Sequence, residues 1–129
     1  MEYKSAASAD YEKIRLFLSK NGWEKRVANK EKFRKMMENA DRTVIAFDGE
    51  RIVGFARALC DEVSNGYIGT VAVAEDFRGR GIGRELVERL IGDDTNISWV
   101  LRAGRGSQNF WDKIGFTASD VAMEKTRGT

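Results

Sequence analysis

The chain has 129 residues, 42% of them hydrophobic and 33% charged, with a formal net charge of +2. That size suits one domain spanning 1–129 with its own core, and the charge balance singles out no acidic partner. A lone cysteine, Cys60, excludes an internal disulfide and points to a reducing cytoplasm, while the absence of histidine removes the commonest general base and leaves no metal expected.

Met1-Glu2-Tyr3-Lys4 lacks a signal-peptide pattern, and no apolar run approaches the roughly 20 residues of a membrane span. Glu2–Ala7 reads as a short first strand and Tyr11–Lys20 as a helix, with Ser8-Ala9-Asp10 supplying capping residues and Asn21-Gly22 a stop. A second helix is predicted over Asn29–Ala40, where Phe33, Met36 and Met37 recur at helical spacing. Seven Lys and Arg residues against two Glu in Lys20–Lys35 read either as a solvated helix face or as a basic patch.

Thr43–Phe47 and Arg51–Leu59 form a predicted hairpin joined through Asp48-Gly49. Gly54 within it marks a bulge or close packing. After the turn Cys60–Gly66 comes the stretch that organises the chain, Tyr67–Ile91. Its first part is an apolar strand ending at Val73, in which Gly69 signals a bulge. Glu75-Asp76-Phe77 breaks the pattern, Arg78-Gly79-Arg80-Gly81-Ile82-Gly83 follows, and Leu86, Val87, Leu90 and Ile91 mark one face of a helix. Such a helix start leaves backbone N–H groups unpartnered beside arginines, an anion site; the same residues also suit a basic loop that merely caps a helix. A Walker loop is excluded, since no Lys-Ser or Lys-Thr follows the glycines. A dinucleotide fingerprint fails on the spacing Gly-x-Gly-x-Gly and on the next strand, Ile97–Leu101, which runs into Arg102-Ala103-Gly104 rather than an acidic residue. Ser107–Ile114 is a short helix stopped by Gly115, Phe116 and Val121–Lys125 return as final strands, and Thr126–Thr129 is a frayed tail.

Arg78-x-x-Gly81-x-Gly83 between an apolar strand and a helix resembles the coenzyme A pyrophosphate loop of the GNAT superfamily of N-acyltransferases. Phe110-Trp111-Asp112-Lys113-Ile114-Gly115-Phe116 is similar to that family's C-terminal aromatic-Tyr-x-Lys-x-Gly-Phe signature. The resemblance covers nearly the whole chain. It implies an α/β (α+β) fold with a mixed, mostly antiparallel sheet of about six to seven strands flanked by about four helices. It further implies that Val71, Ala72 and Val73 bind the pantetheine arm of acetyl-CoA, and that Arg78, Gly79, Arg80, Gly81, Ile82, Gly83 and Arg84 hold its pyrophosphate.

By the same resemblance the protein is an N-acetyltransferase for a primary amine, with a homodimer as a family expectation. Trp23 and Arg26 fall on the acceptor side. Trp111 stands where the family commonly has a tyrosine that protonates the leaving thiolate, and an indole N–H cannot act as that acid. The family's asparagine upstream of this helix is also missing, with Ser107 and Asn109 nearby. Glu62, beside Asp61 at the end of the strand before the central one, is the candidate base; these carboxylates also favour a cationic acceptor. Two other readings remain open: a catalytically idle acyl-CoA-binding or sensing domain, and a nucleic-acid binder using Arg78–Arg84 and the Lys20–Lys35 run.

Overall fold

Alternating and continuous apolar runs over the middle of the chain assemble into one five-stranded sheet in the order β1-β2-β3-β4-β5, in a computed structural model that describes residues 1–128. The strands are β1 (Glu2–Lys4), β2 (Arg42–Asp48), β3 (Arg51–Cys60), β4 (Asn65–Val73) and β5 (Ser98–Leu101). All neighbouring pairs are antiparallel except β4–β5, which is parallel. The helices are α1 (Tyr11–Leu18), α2 (Glu24–Val27), α3 (Lys30–Glu38), α4 (Ile82–Ile91) and α5 (Gln108–Lys113).

In the sheet centre, burial ignores strand parity. Val44 through Phe47 and Ile52 through Ala56 are buried without a break, so helices cover both faces. α4 lies on the face of Gly54, where a Cβ would approach Leu86 Cδ1 to 2.9 Å and Ile82 Cγ2 to 3.1 Å. Gly54 is therefore a close-packing glycine, and the irregularity in the β2–β3 register falls beside it at Val53. The Arg57 face meets the α1–α2 junction. There Asn21 and Gly22 leave helical geometry, with Gly22 at φ 96°, and a single wide turn over Ser19–Trp23 redirects the chain. Asn21 Nδ2 steadies that turn by donating to the Phe17 carbonyl at 2.8 Å. Asn29 caps α3, its Oδ1 accepting from Lys32 N–H at 3.0 Å.

The sheet has five strands where six to seven were expected. Residues 117–125 form no strand: Val121 and Met123 are 83% and 96% exposed. Strand pairing there would put two apolar side chains into water rather than onto a core, and only Phe116 of this C-terminal stretch packs against the interior. Of the predicted tail, Thr129 lies outside the described residues. The predicted hairpin turn is displaced by one residue: Asp48 pairs with Arg51, leaving Gly49-Glu50 as the loop, with Gly49 at φ 62°.

Candidate active site

Two features of β4 create the site. Arg57 pairs with Thr70 and Ala58 with Ile68, so Gly69 is the extra residue of a bulge. On the other side, pairing with β5 stops at Ile68–Leu101. From Gly69 to Val73, β4 therefore runs alongside a gap instead of a strand.

Ladder alternation decides which groups face this gap. Ala74 N–H donates to the Val53 carbonyl across β3 at 2.8 Å, so Ala72 also turns its amide toward β3. Val71 and Val73 turn theirs away. The Arg78 side chain fixes the direction, its Nε donating to the Val73 carbonyl at 3.2 Å.

A cleft of about 710 Å³ follows that free edge to the start of α4. Gly79 and Gly81 hold φ of 78° and 83° with no atom within 4 Å of where a Cβ would stand. No side chain caps α4, whose first turn opens with Gly81 as cap residue and Glu85 N–H reaching its carbonyl at 3.1 Å. The amides of Ile82, Gly83 and Arg84, residues that line the cleft, lack helical acceptors and stand at the positive end of the helix. Gly83 has a different role: a Cβ there would meet Phe110 Cε1 at 3.0 Å, so this glycine seats an aromatic ring of α5 against α4.

Val71, Ala72, Val73, Arg78, Gly79, Gly81, Ile82, Gly83 and Arg84 all line this cleft. Arg80 does not; its guanidinium stacks on Phe77 at 4.6 Å from the ring centroid. Arg105 and Lys113 join the lining, and neither was singled out by sequence. Arg105 sits in a Gly-Arg-Gly turn after β5 that resembles a plain loop, and Lys113 was read only as part of a motif.

A second cleft of about 530 Å³ opens on the other side of the gap, lined by Arg57, Tyr67, Thr70 and Trp111 among others. The two share Trp23, Val71, Ser107 and Phe110 and so adjoin one another along these residues. Trp23 and Arg26 line the second cleft as the sequence suggested. Trp111 is buried, edge-on to Phe110 at 5.0 Å and to Phe116 at 5.1 Å, a packing residue at the cleft wall. Ser107 Oγ donates to the Gly104 carbonyl at 2.8 Å, tying the α5 start to the loop after β5.

Glu62 is not brought to either cleft. It stands at φ 67° in an exposed turn and receives both Arg42 Nε and Nη2, at 3.1 and 2.7 Å. Arg42 Nη1 meanwhile donates to the Leu90 and Ile91 carbonyls, at the far end of α4, about 15 Å of helix from Gly81. The guanidinium holds the Glu62 carboxyl below the usual glutamate range, the opposite of a base tuned toward neutrality. Asp61 is equally committed, accepting from the N–H groups of Val63, Ser64 and Asn65 and from the Ser64 hydroxyl. Among the described residues, no Asp or Glu lines either cleft. The expectation of acidic residues beside the acceptor is thereby overturned.

A sheet split along one strand, with the split leading to an uncapped helix start, defines the class: an α/β domain with two adjoining clefts along the split. Over residues 5–127 the chain matches the acetyltransferase (GNAT) domain, and it belongs to that family. A chloroplastic protein of Arabidopsis thaliana described as GCN5-related N-acetyltransferase 2 is 33% identical over 87 residues, covering 60% of this chain and 33% of its own. The PanD regulatory factor of Salmonella typhimurium is 30% identical over 95 residues, covering 69% of this chain and 74% of its own. This chain thus spans about a third of the plant relative's length and about three quarters of the bacterial one's. Among solved structures, a putative acetyltransferase from Xanthomonas campestris superposes with a TM-score of 0.78 at 20% identity, covering 98% of this chain and 94% of that one. That likeness is one of fold.

Proposed function

We propose that the protein moves the acetyl group of acetyl-CoA directly to a primary amine of a small molecule or protein. The observation that carries this reading is that the two clefts adjoin at Val71, on the free edge of β4. One reactant takes each cleft, and they meet at Val71.

The residues fit a long polyanionic thioester. Gly79 and Gly81 leave room for a diphosphate against the first amides of α4. Arg78, Arg105 and Lys113 bring positive charge to that space, while Arg84 stands there paired with Glu88 at 2.8 Å. The outward backbone groups of Val71 and Val73 suit an amide-bearing arm laid along the strand. When bound, acetyl-CoA supplies an activated carbonyl and a sulfur leaving group.

Val71 N–H is the donor for the oxygen that becomes negative as the amine attacks. Attack forms the C–N bond and breaks the C–S bond; one proton leaves the nitrogen and the sulfur departs as thiol. Among the described residues no carboxylate lines either cleft to take that proton. Instead the surrounding guanidinium groups disfavour an ammonium beside them, so the acceptor is held as the free amine. The same charges favour negative charge on the departing sulfur, which lessens the need for the phenol that Trp111 replaces. The Tyr67 hydroxyl, in the acceptor cleft, relays the proton.

A thermal shift with acetyl-CoA, followed by an assay for free thiol with a panel of amines, tests this reading. Stabilisation together with amine-dependent thiol release is expected. No stabilisation at millimolar cofactor would sink it.

A second reading, an acyl-CoA-binding regulator without turnover, is favoured by two observations. Trp111 occupies the position of the family's usual acid, and a relative with the name of a regulatory factor shares 30% of its residues over the aligned region. It predicts the same thermal shift with no thiol release for any amine.

A further inference from the structure

The acceptor cleft is lined by four arginines, Arg26, Arg57, Arg102 and Arg127, and, among the described residues, by no carboxylate. Two of these guanidinium groups already have partners. Arg102 forms an ion pair with Glu124, and Arg26 stacks over Trp23 with its carbon 5.7 Å from the ring centroid. Arg57 is different. It rises from the centre of β3, half-buried, and crosses over Gly69: a Cβ on that glycine would stand 2.5 Å from Arg57 Nη2. The bulge glycine of β4 thus provides the bed on which the side chain lies.

Arg57 Nε donates to Thr70 Oγ1 at 3.2 Å, and Thr70 is itself buried, which anchors the base of the guanidinium. Its outer edge, with the N–H groups of Nη1 and Nη2, has no acidic partner among the described residues. Burial pushes the group below the usual arginine range, yet an arginine stays charged in a protein. A positive charge held half out of water with no counter-ion carries an unrelieved desolvation cost. An outer edge with two parallel N–H vectors is the geometry that receives a carboxylate in bidentate fashion.

We propose that the acceptor is an amine that also bears a carboxylate, such as a free amino acid, bound through that carboxylate to the outer edge of Arg57. This rests on the acyltransferase reading given above. The carboxylate fixes one end of the acceptor beside β3, and the amine reaches across Gly69 and Thr70 toward Val71. Arg26, in the same lining, draws the anion in, and polycationic amines meet like charge at Arg26, Arg57 and Arg127.

The test measures binding separately from turnover. N-acetyl amino acids, the products of the proposed reaction, are titrated against the whole protein by calorimetry beside the matching N-acetyl amino acid amides. A preference for the carboxylate of roughly ten- to a hundredfold is expected, the size of a charge-assisted pair. The preference should vanish in Arg57→Gln and weaken in Arg57→Lys, which keeps the charge but not the fork. Circular dichroism and the acetyl-CoA thermal shift confirm that each variant is folded and loaded. Equal binding of acid and amide, or no binding of either, overturns the proposal even if acetyl-CoA binds. Loss of the acetyl-CoA shift alone, with the carboxylate preference intact, overturns the acyltransferase reading and leaves an Arg57 anion site standing.

Discussion

Gly66 lies directly beneath the indole of Trp99, its partner across the parallel β4–β5 pair: a Cβ at Gly66 would sit 2.2 Å from Trp99 Cζ3. The indole in turn carries the Arg42 guanidinium at 5.2 Å from its ring. This stack holds β4 and β5 together at the closed end of the split, three residues before the bulge at Gly69. Gly66→Ala forces the indole off its seat, and overpacking of this kind costs about 1–3 kcal/mol. A fall in Tm of several degrees is expected by calorimetry, along with weaker acetyl-CoA binding as the mouth of the split is misaligned. An unchanged Tm would contradict the packing described.

At Gly81 the constraint is conformational. Space is open around it, but its φ of 83° is one that a Cβ disfavours by roughly 1–2 kcal/mol. Gly81→Ala is therefore expected to rotate the first amide of α4 away from the cleft. Titration calorimetry should show acetyl-CoA affinity lowered about tenfold with only a modest loss of stability. Wild-type affinity in this variant would argue against a diphosphate at the helix start.

Glu62→Gln should leave kcat and KM for the acceptor close to wild type, because this carboxylate is occupied by Arg42 at the remote end of α4. A fall in kcat of a hundredfold or more, with KM steady, would restore Glu62 as the base.

Asp61 governs a pH dependence of stability. Its carboxyl lies far below the ordinary value of 3.8, chiefly through the Ser64 hydroxyl and then the backbone N–H groups of the turn. A depressed carboxyl stabilises the fold at pH values above that ordinary value and loses the contribution as pH falls through the folded-state pKa. Asp61→Asn should therefore lower Tm at pH 7, and the gap between variant and wild type should close steadily as pH falls below 3.8. A gap that stays constant down to pH 2 would show that the turn does not depend on the charge.

Most of the architecture was readable because it is written in local patterns. The stretch Tyr67–Ile91 contains a strand, a bulge glycine, an open turn and an amphipathic helix in order, and each part depends on its own residues. The three glycines of the turn looked alike in sequence, yet Gly79 and Gly81 serve open positive-φ geometry and Gly83 seats Phe110. What separates them is a contact 27 residues away in the chain, which no local pattern encodes. Arg57 was unreadable for a related reason. In an alternating strand it resembles any polar outward residue, and only the slip of register at Gly69 lays it across the acceptor cleft. Glu62 misled because nearness in sequence to the central strand does not fix direction: the left-handed turn aims it at Arg42 instead. Val121–Lys125 has a strand-like composition, but with its apolar residues exposed it has no surface to pair against.

Two clefts that hold no histidine and, among the described residues, no carboxylate have a kinetic consequence. With no fixed protein base to titrate near neutrality, the rise of rate with pH belongs to whichever amine is bound. Two acceptors whose amino groups ionise a unit apart should give curves of the same shape displaced by that unit, and the apparent optimum would describe the guest rather than its host.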